Sequence, residues 1–109
     1  SVHPIALAKN WGILAENKRV VTCLDSALFG QVLYIEVGAT NVGTILQTHS
    51  PHTMQQKGAE KGYFSFGGSC LLLLFTRGRL QIDADVKKAS SQGLEIRCLM
   101  GQSLGRRRG

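Results

Sequence analysis

The longest uninterrupted apolar run in the chain is Cys70-Leu71-Leu72-Leu73-Leu74-Phe75, with Gly67-Gly68-Ser69 before it and Thr76-Arg77-Gly78 after it. A bilayer span takes about 20 apolar residues, and a core helix packed between such breakers would need a longer stretch. The run therefore reads as one buried β-strand. A buried strand needs partners on both edges, so the rest of the chain must supply further strands.

Such strands are legible on either side. Val20 to Leu24 and Val32 to Val37 are β-branched and apolar, and Asp25-Ser26 and Phe29-Gly30 join them as in a hairpin. Asn41 to Gln47 reads as a third strand, with Gly43 marking a close backbone approach. His49-Ser50-Pro51-His52 is a loop, and Tyr63 to Phe66 alternates. After the apolar run, Gly78 turns the chain into Leu80-Gln81-Ile82. Ala84 to Ser91 reads as a short helix or a loop with Asp83 or Asp85 at its start, and Leu94 to Met100 as a last strand. No long helix is expected.

Composition sets bounds on this picture. A chain of 109 residues is one domain or part of one, burying about 65 % of its unfolded surface. With 43 % hydrophobic and 18 % charged residues, wholesale disorder is excluded. Cys23, Cys70 and Cys98 show no zinc spacing and no even set for disulfides, so they read as reduced core thiols, and no metal is expected. His3 and Pro4 stand where a secretory signal would need its charged and apolar regions. Because the chain opens without Met, a targeting or membrane segment ahead of it stays open.

The turn before the apolar run carries the chemistry. Glycine reaches backbone conformations closed to residues with a Cβ, so Gly67-Gly68 can hold a bend that brings the Ser69 hydroxyl against the Gly68 carbonyl carbon. Attack there would shift the acyl group from nitrogen to oxygen, and elimination followed by hydrolysis would leave a pyruvoyl group. A plain β-turn feeding a strand fits the same residues, and the residues by themselves leave both readings open.

The wider sequence resembles one family. Ser1-Val2-His3-Pro4-Ile5-Ala6 is similar to the Ser-Val-Asn-Pro-Ile-Ala of phosphatidylserine decarboxylases, with His3 a departure. Glu16-Asn17-Lys18-Arg19-Val20-Val21 looks like their Asn-x-Arg-x-Val element, and Phe29-Gly30-Gln31-Val32 follows it. Val37-Gly38-Ala39-Thr40-Asn41-Val42-Gly43-Thr44-Ile45 resembles Val-Gly-Ala-Thr-x-Val-Gly-Ser-Ile. Lys57-Gly58-Ala59-Glu60-Lys61-Gly62-Tyr63-Phe64 resembles Lys-Gly-Asp-Glu-x-Gly-Tyr-Phe, and the last block ends in Phe66-Gly67-Gly68-Ser69.

The resemblance implies a mainly β fold: an antiparallel core of the barrel-sandwich-hybrid kind with few or short helices, forming the C-terminal part of the enzyme. It implies Gly68-Ser69 as the processing bond, with residues 1–68 ending the β chain and 69–109 forming the α chain. Ser69 would become the pyruvoyl group, the covalent cofactor that binds the substrate amine as an imine and takes up electrons as carbon dioxide leaves. No pyridoxal phosphate is implied. The implied substrate is phosphatidylserine, converted to phosphatidylethanolamine. The family has Ser or Thr where Cys70 stands, a change that leaves the Ser69 hydroxyl in place. The acid and histidines that the family assigns to processing and catalysis lie upstream and have no match here, so this chain alone is expected to be inactive. The alternatives are an uncut remnant of the fold and an amino-acid decarboxylase on the same scaffold.

Other features carry less. The glycines of Gly38-x-x-x-x-Gly43-x-Ile45 and Gly58-x-x-x-Gly62-x-Phe64 repeat loosely, but no lysine has the setting of a lipoyl or biotinyl carrier. His49 and His52 read as surface-loop residues rather than ligands or bases. Asp83 and Asp85 read as turn caps. Asn17 and Arg19 suit a structural ion pair better than a substrate contact. The net charge of +6 includes Arg106-Arg107-Arg108, read first as a solvated, frayed tail and second as a peripheral contact with an anionic membrane. No aromatic residue interleaves with these arginines, so nucleic acid is not expected as a partner. The expected partners are the lipid, a membrane surface and the upstream part of the same protein, with homo-oligomers left open. A membrane-associated location is expected, in an open compartment.

Overall fold

The computed structural model describes residues 18–38, 44–65 and 69–109. They form a mainly antiparallel β structure with one short helix. The strands are β1 Arg19–Ser26, β2 Gly30–Val37, β3 Ile45–Gln47, β4 Gly62–Phe64, β5 Cys70–Phe75, β6 Leu80–Ile82 and β7 Gly105–Arg107, and the helix α1 is Ala84–Ser91. The sheets are β1-β2-β5, β3-β4 and β6-β7. Among the described residues the chain divides into two compact units. One takes the residues up to Thr22 together with Tyr34–Leu73, and the other takes Cys23–Leu33 and Leu74–Gly109.

The expected first hairpin is present, and its turn explains itself. The Ser26 hydroxyl accepts the N–H groups of Leu28 at 3.2 Å and Phe29 at 3.1 Å, so the chain bends on a side-chain hydrogen bond. Gly30 then closes the turn at φ 69°, a left-handed conformation favoured by glycine. A connection this short can join only antiparallel strands. At the other edge of β2, the Thr76 hydroxyl donates to the Gln31 carbonyl at 3.2 Å, and the rings of Phe29 and Phe75 meet edge-on at 5.5 Å. The end of β5 thus lies beside the start of β2. The two strands run antiparallel, and β5 opens at the Val37 end of β2.

β5 is the strand predicted, but it is not buried as predicted. Cys70, Leu72 and Phe75 are half-buried, whereas Leu71, Leu73 and Leu74 are exposed. From Cys70 to Leu73 the exposure follows the period of two along a strand; at Leu74 the alternation breaks, so neither face is fully covered among the described residues.

In the first unit, β3 and β4 pair antiparallel with Ile45 opposite Phe64, Leu46 opposite Tyr63 and Gln47 opposite Gly62. The third strand is shorter than expected, and Asn41, Gly43 and Phe66 lie outside the described residues. Val37, Thr44 and Ile45 are buried here, and each apolar side chain so buried contributes about 1.5–3 kcal/mol. Two glycines are required by close approach. A Cβ on Gly38 would stand 2.6 Å from Thr44 Oγ1, and one on Gly62 would run into the Leu46 carbonyl oxygen. The sequence between β3 and β4 is irregular, with His52 at φ 58° and Gly58 at φ 87° making its turns.

The second unit corrects two expectations. Leu94 to Met100 is not a strand. α1 ends in a left-handed Gly93, with Leu94 N–H bonded to Ala89 O and Gly93 N–H to Ser90 O, the pattern that satisfies the last carbonyls of a helix. The chain then runs irregularly into a turn closed by Gln102 N–H on Leu99 O. The partner of β6 is instead Gly105–Arg107, with Ile82 opposite Gly105 and Leu80 opposite Arg107. Gly105 wins this place because its missing Cβ would sit 2.7 Å from the Gln81 carbonyl oxygen. The arginine tail is therefore not frayed. Arg106 and Arg107 belong to β7, and Arg108 N–H continues the ladder to Arg79 O at 3.0 Å.

Replacing Gly62 by Ala should lower the unfolding free energy by about 1–3 kcal/mol, since the obstacle is backbone rather than a movable side chain. Lys57→Ala, at an exposed turn in the same connection, should change it by less than about 0.5 kcal/mol. Urea unfolding followed by circular dichroism distinguishes the two.

Candidate functional site

Ser69 is exposed and stands one residue ahead of β5. Among the described residues nothing holds its hydroxyl by a hydrogen bond. Gly67 and Gly68 lie outside the described residues, so the bend expected at the Gly68-Ser69 bond is not described. The anchors on either side are. Upstream, β4 runs into Ser65, whose N–H donates to the Thr44 carbonyl at 2.8 Å, and Thr44 is buried. Downstream, Cys70 begins β5 beside β2. Ser65 and Ser69 are thus the ends of a bridge from the β3-β4 sheet to the sheet holding β2. Cys70 is half-buried, its sulfur 3.9 Å from the Leu71 carbonyl oxygen.

In the same unit is a polar cluster that sequence reasoning missed. Glu36 on β2 is 3 % exposed, and Lys61 Nζ donates to its Oε1 at 2.6 Å. Gln47 Nε2 donates to the same oxygen at 2.9 Å, and Lys61 Nζ also donates to Gln47 Oε1 at 2.7 Å. The three side chains close a triangle of directed, charge-assisted bonds. Lys61 Nζ also lies 4.9 Å from the centroid of the Tyr34 ring, a favourable place for a cation. The Lys61 carbonyl in turn accepts the N–H groups of Thr48 at 2.9 Å and His49 at 3.1 Å. Among the described residues Glu36–Lys61 is the only ion pair. One signal was present in the sequence: Val32, Tyr34 and Glu36 share a phase, so β2 sets a carboxylate on the face that buries Val32.

The other candidates fall away from this cluster or change character. His49 is half-buried, not a free surface residue, with Nδ1 2.9 Å from the Lys61 carbonyl oxygen. His52 is exposed in its turn, as expected. Arg19 is exposed and forms no ion pair among the described residues, contrary to the structural pair expected. Asn17 lies outside them. Asp83 occupies the N-cap of α1 with no side-chain capping bond, and Asp85 sits in the first turn. The cysteines are free but not core thiols: Cys23 and Cys98 are exposed. Among the described residues no cluster of side chains is suited to a metal ion, and no helix is long and apolar enough to cross a membrane. In the second unit an open hollow of about 610 Å³ is lined by Arg106, Arg108 and Lys87 but also by Asp83 and Asp85. The alternation of β7 turns Arg107 away from that hollow, so the three arginines do not make one patch.

Burial holds the Tyr34 phenol above its ordinary value of 10.0, and the Glu36 carboxylate adds to the rise. A raised phenol keeps its proton longer in the folded state. Its contribution to stability is therefore full below about pH 10 and is lost as pH climbs through the folded value. Absorbance titration should find one of the two tyrosines ionising late, and Glu36→Gln should bring it part of the way back, because burial is the larger cause. A Tyr34 that titrates at the ordinary value would contradict the geometry.

Comparison with known proteins gives the family. The family model described as phosphatidylserine decarboxylase matches residues 1–106. The chain is similar to a phosphatidylserine decarboxylase proenzyme of Chlamydia felis, 56 % identical over 106 residues, covering 97 % of this chain and 36 % of the relative. The proenzyme of Chlamydia muridarum is 56 % identical over 107 residues, covering 98 % and 36 %. That of Chlamydia caviae is 57 % identical over 106 residues, covering 97 % and 36 %. No solved structure gives a significant match. The chain spans about a third of the length of these curated relatives, and it belongs to the phosphatidylserine decarboxylase family.

Proposed function

We propose that this chain is the C-terminal part of a self-processing, pyruvoyl-dependent decarboxylase acting on phosphatidylserine. The observation that carries the reading is Ser69: an exposed serine at the opening of β5, in a bridge anchored at both ends and preceded by two glycines. Its hydroxyl attacks the Gly68 carbonyl carbon, the Ser69 nitrogen leaves with the proton, and an ester replaces the peptide bond. Loss of the Ser69 α-proton and of the Gly68 carboxylate gives a dehydroalanine N-terminus. Water then replaces its nitrogen, released as ammonia, with oxygen. Residues 1–68 end one piece and 69–109 form the other.

The residues present fit a pyruvoyl group at position 69. Its precursor is an exposed serine, open to a substrate amine. Such a ketone supplies an electron sink for the loss of carbon dioxide from an amino acid headgroup. The chain contributes the position of that group at the end of a paired strand. The proton donor and the remaining walls of the site come from the upstream part of the longer relatives, for which the exposed Leu71 and Leu73 of β5 offer an apolar surface. The lipid substrate implies a peripheral, membrane-associated location, with the basic residues of the chain favouring an anionic surface.

The full-length protein should run on a denaturing gel as two pieces split before Ser69, and cyanoborohydride should trap an amine on the smaller. Ser69→Ala should abolish both. A single uncut mass in the wild type would favour a non-catalytic remnant, and turnover of free amino acids in place of lipid would favour a different decarboxylase. Residues 1–109 alone should show no turnover; activity from this stretch by itself would overturn the assignment of the donor to the upstream part.

A further inference from the structure

We infer that the Glu36, Lys61 and Gln47 cluster is a positioning clamp for the self-cleaving segment; the inference rests on the cleavage reading above. The segment from Ser65 to Ser69 spans from the β3-β4 sheet to the β1-β2-β5 sheet. The cluster spans the same two sheets. Glu36 lies on β2, the strand that flanks β5, while Gln47 ends β3 and Lys61 immediately precedes β4. Whatever fixes Glu36 against Lys61 therefore fixes the separation of Ser65 from the start of β5, the described neighbours of the Gly68-Ser69 bond in the chain. All of these residues belong to one compact unit.

The chemistry of the contact fits this role better than a role in bulk stability. A buried ion pair is often no more stabilising than apolar side chains of the same volume, because both charges give up water. Its distinctive property is direction. An apolar contact between sheets tolerates sliding, whereas bonds of 2.6, 2.7 and 2.9 Å that share one carboxylate oxygen and one ammonium do not. The close approach of Gly38 to Thr44 seats the same end of β2 against the start of β3. For an intramolecular attack, a misplacement of about 1 Å is worth roughly 100-fold in rate. The cluster is thus a positioning group that acts through β4 and β2 and touches neither Ser69 nor the scissile carbonyl among the described contacts.

The test follows first-order cleavage of the full-length protein on gels, with folding monitored by circular dichroism. Glu36→Gln should leave a folded protein that is cut roughly 10- to 100-fold more slowly. Hydroxylamine, which cuts an ester at Ser69, should not restore the lost cleavage, because the ester fails to form. The apolar pair Glu36→Leu with Lys61→Met keeps volume and stability but not direction, and should be as slow as Glu36→Gln. Glu36→Asp, which retains the charge, should recover part of the rate. A folded Leu and Met pair cleaved at the wild-type rate would overturn the clamp, as would a Glu36→Gln defect explained by its unfolded fraction. A wild-type protein that is never cut overturns the cleavage reading itself, which separates the two failures.

Discussion

A carboxylate that is almost wholly withdrawn from water is the constraint around which the first unit is arranged. Glu36 cannot remain charged there without partners, and the chain meets this with an ammonium at 2.6 Å and an amide at 2.9 Å. Supplying those partners dictates local structure. Gln47 has to end β3 facing β2, and Lys61 has to arrive from the far side of a long irregular connection just as β4 begins. Gly62 follows at once, and its missing Cβ lets β4 lie against the Leu46 carbonyl. Removing one partner of such a pair, with the charge left behind, costs about 3–5 kcal/mol. The β3-β4 sheet and the Val37 end of β2 are therefore not independent.

What could be read from the sequence follows from how local the cause is. The β1-β2 hairpin was legible because Ser26 and Gly30 make its turn by themselves, and β5 was legible because its six apolar residues are bounded by breakers. Its exposure was not, since burial depends on what lies across the sheet, and this stretch corresponds to about a third of its relatives. Leu94 to Met100 has a strand-like composition, yet Gly105 to Arg107 forms the strand, because pairing with β6 is decided by which segment brings a residue without a Cβ to Gln81. Three arginines in a row look like a solvated tail until their backbone is seen to complete a ladder.

The candidate site divides along the same line. Ser69 was singled out by its glycines and by the family motif around it, both of which are contiguous in sequence. The Glu36 cluster was not, because Glu36, Gln47 and Lys61 come from three separate segments. Lys61 even occupies the variable position of a motif that otherwise matches except at Ala59, so the resemblance gave no reason to single it out. Only the phase of Glu36 with Val32 marked it, and a phase identifies a buried charge without naming its partner.

On the proposed reading the cut falls between β4 and β5, which belong to different sheets and not to one hairpin, and this has a further physical consequence. Cutting a hairpin turn frees two strands held mainly by each other. Here the residues before the cut stay tied to β3 through β4 and the Ser65–Thr44 bond. The residues after it stay tied to β2, since β5 takes its place in the order β1-β2-β5. The smaller piece would thus contribute a strand to a sheet whose other two strands belong to the larger piece, and strand pairing with side-chain packing would hold the pieces together without a peptide bond. The new N-terminus at position 69 would then be held at the mouth of a paired strand, where a short reach of chain limits its freedom. A reactive group made from the backbone needs such a mounting, because it has no side-chain stem of its own by which the protein can aim it.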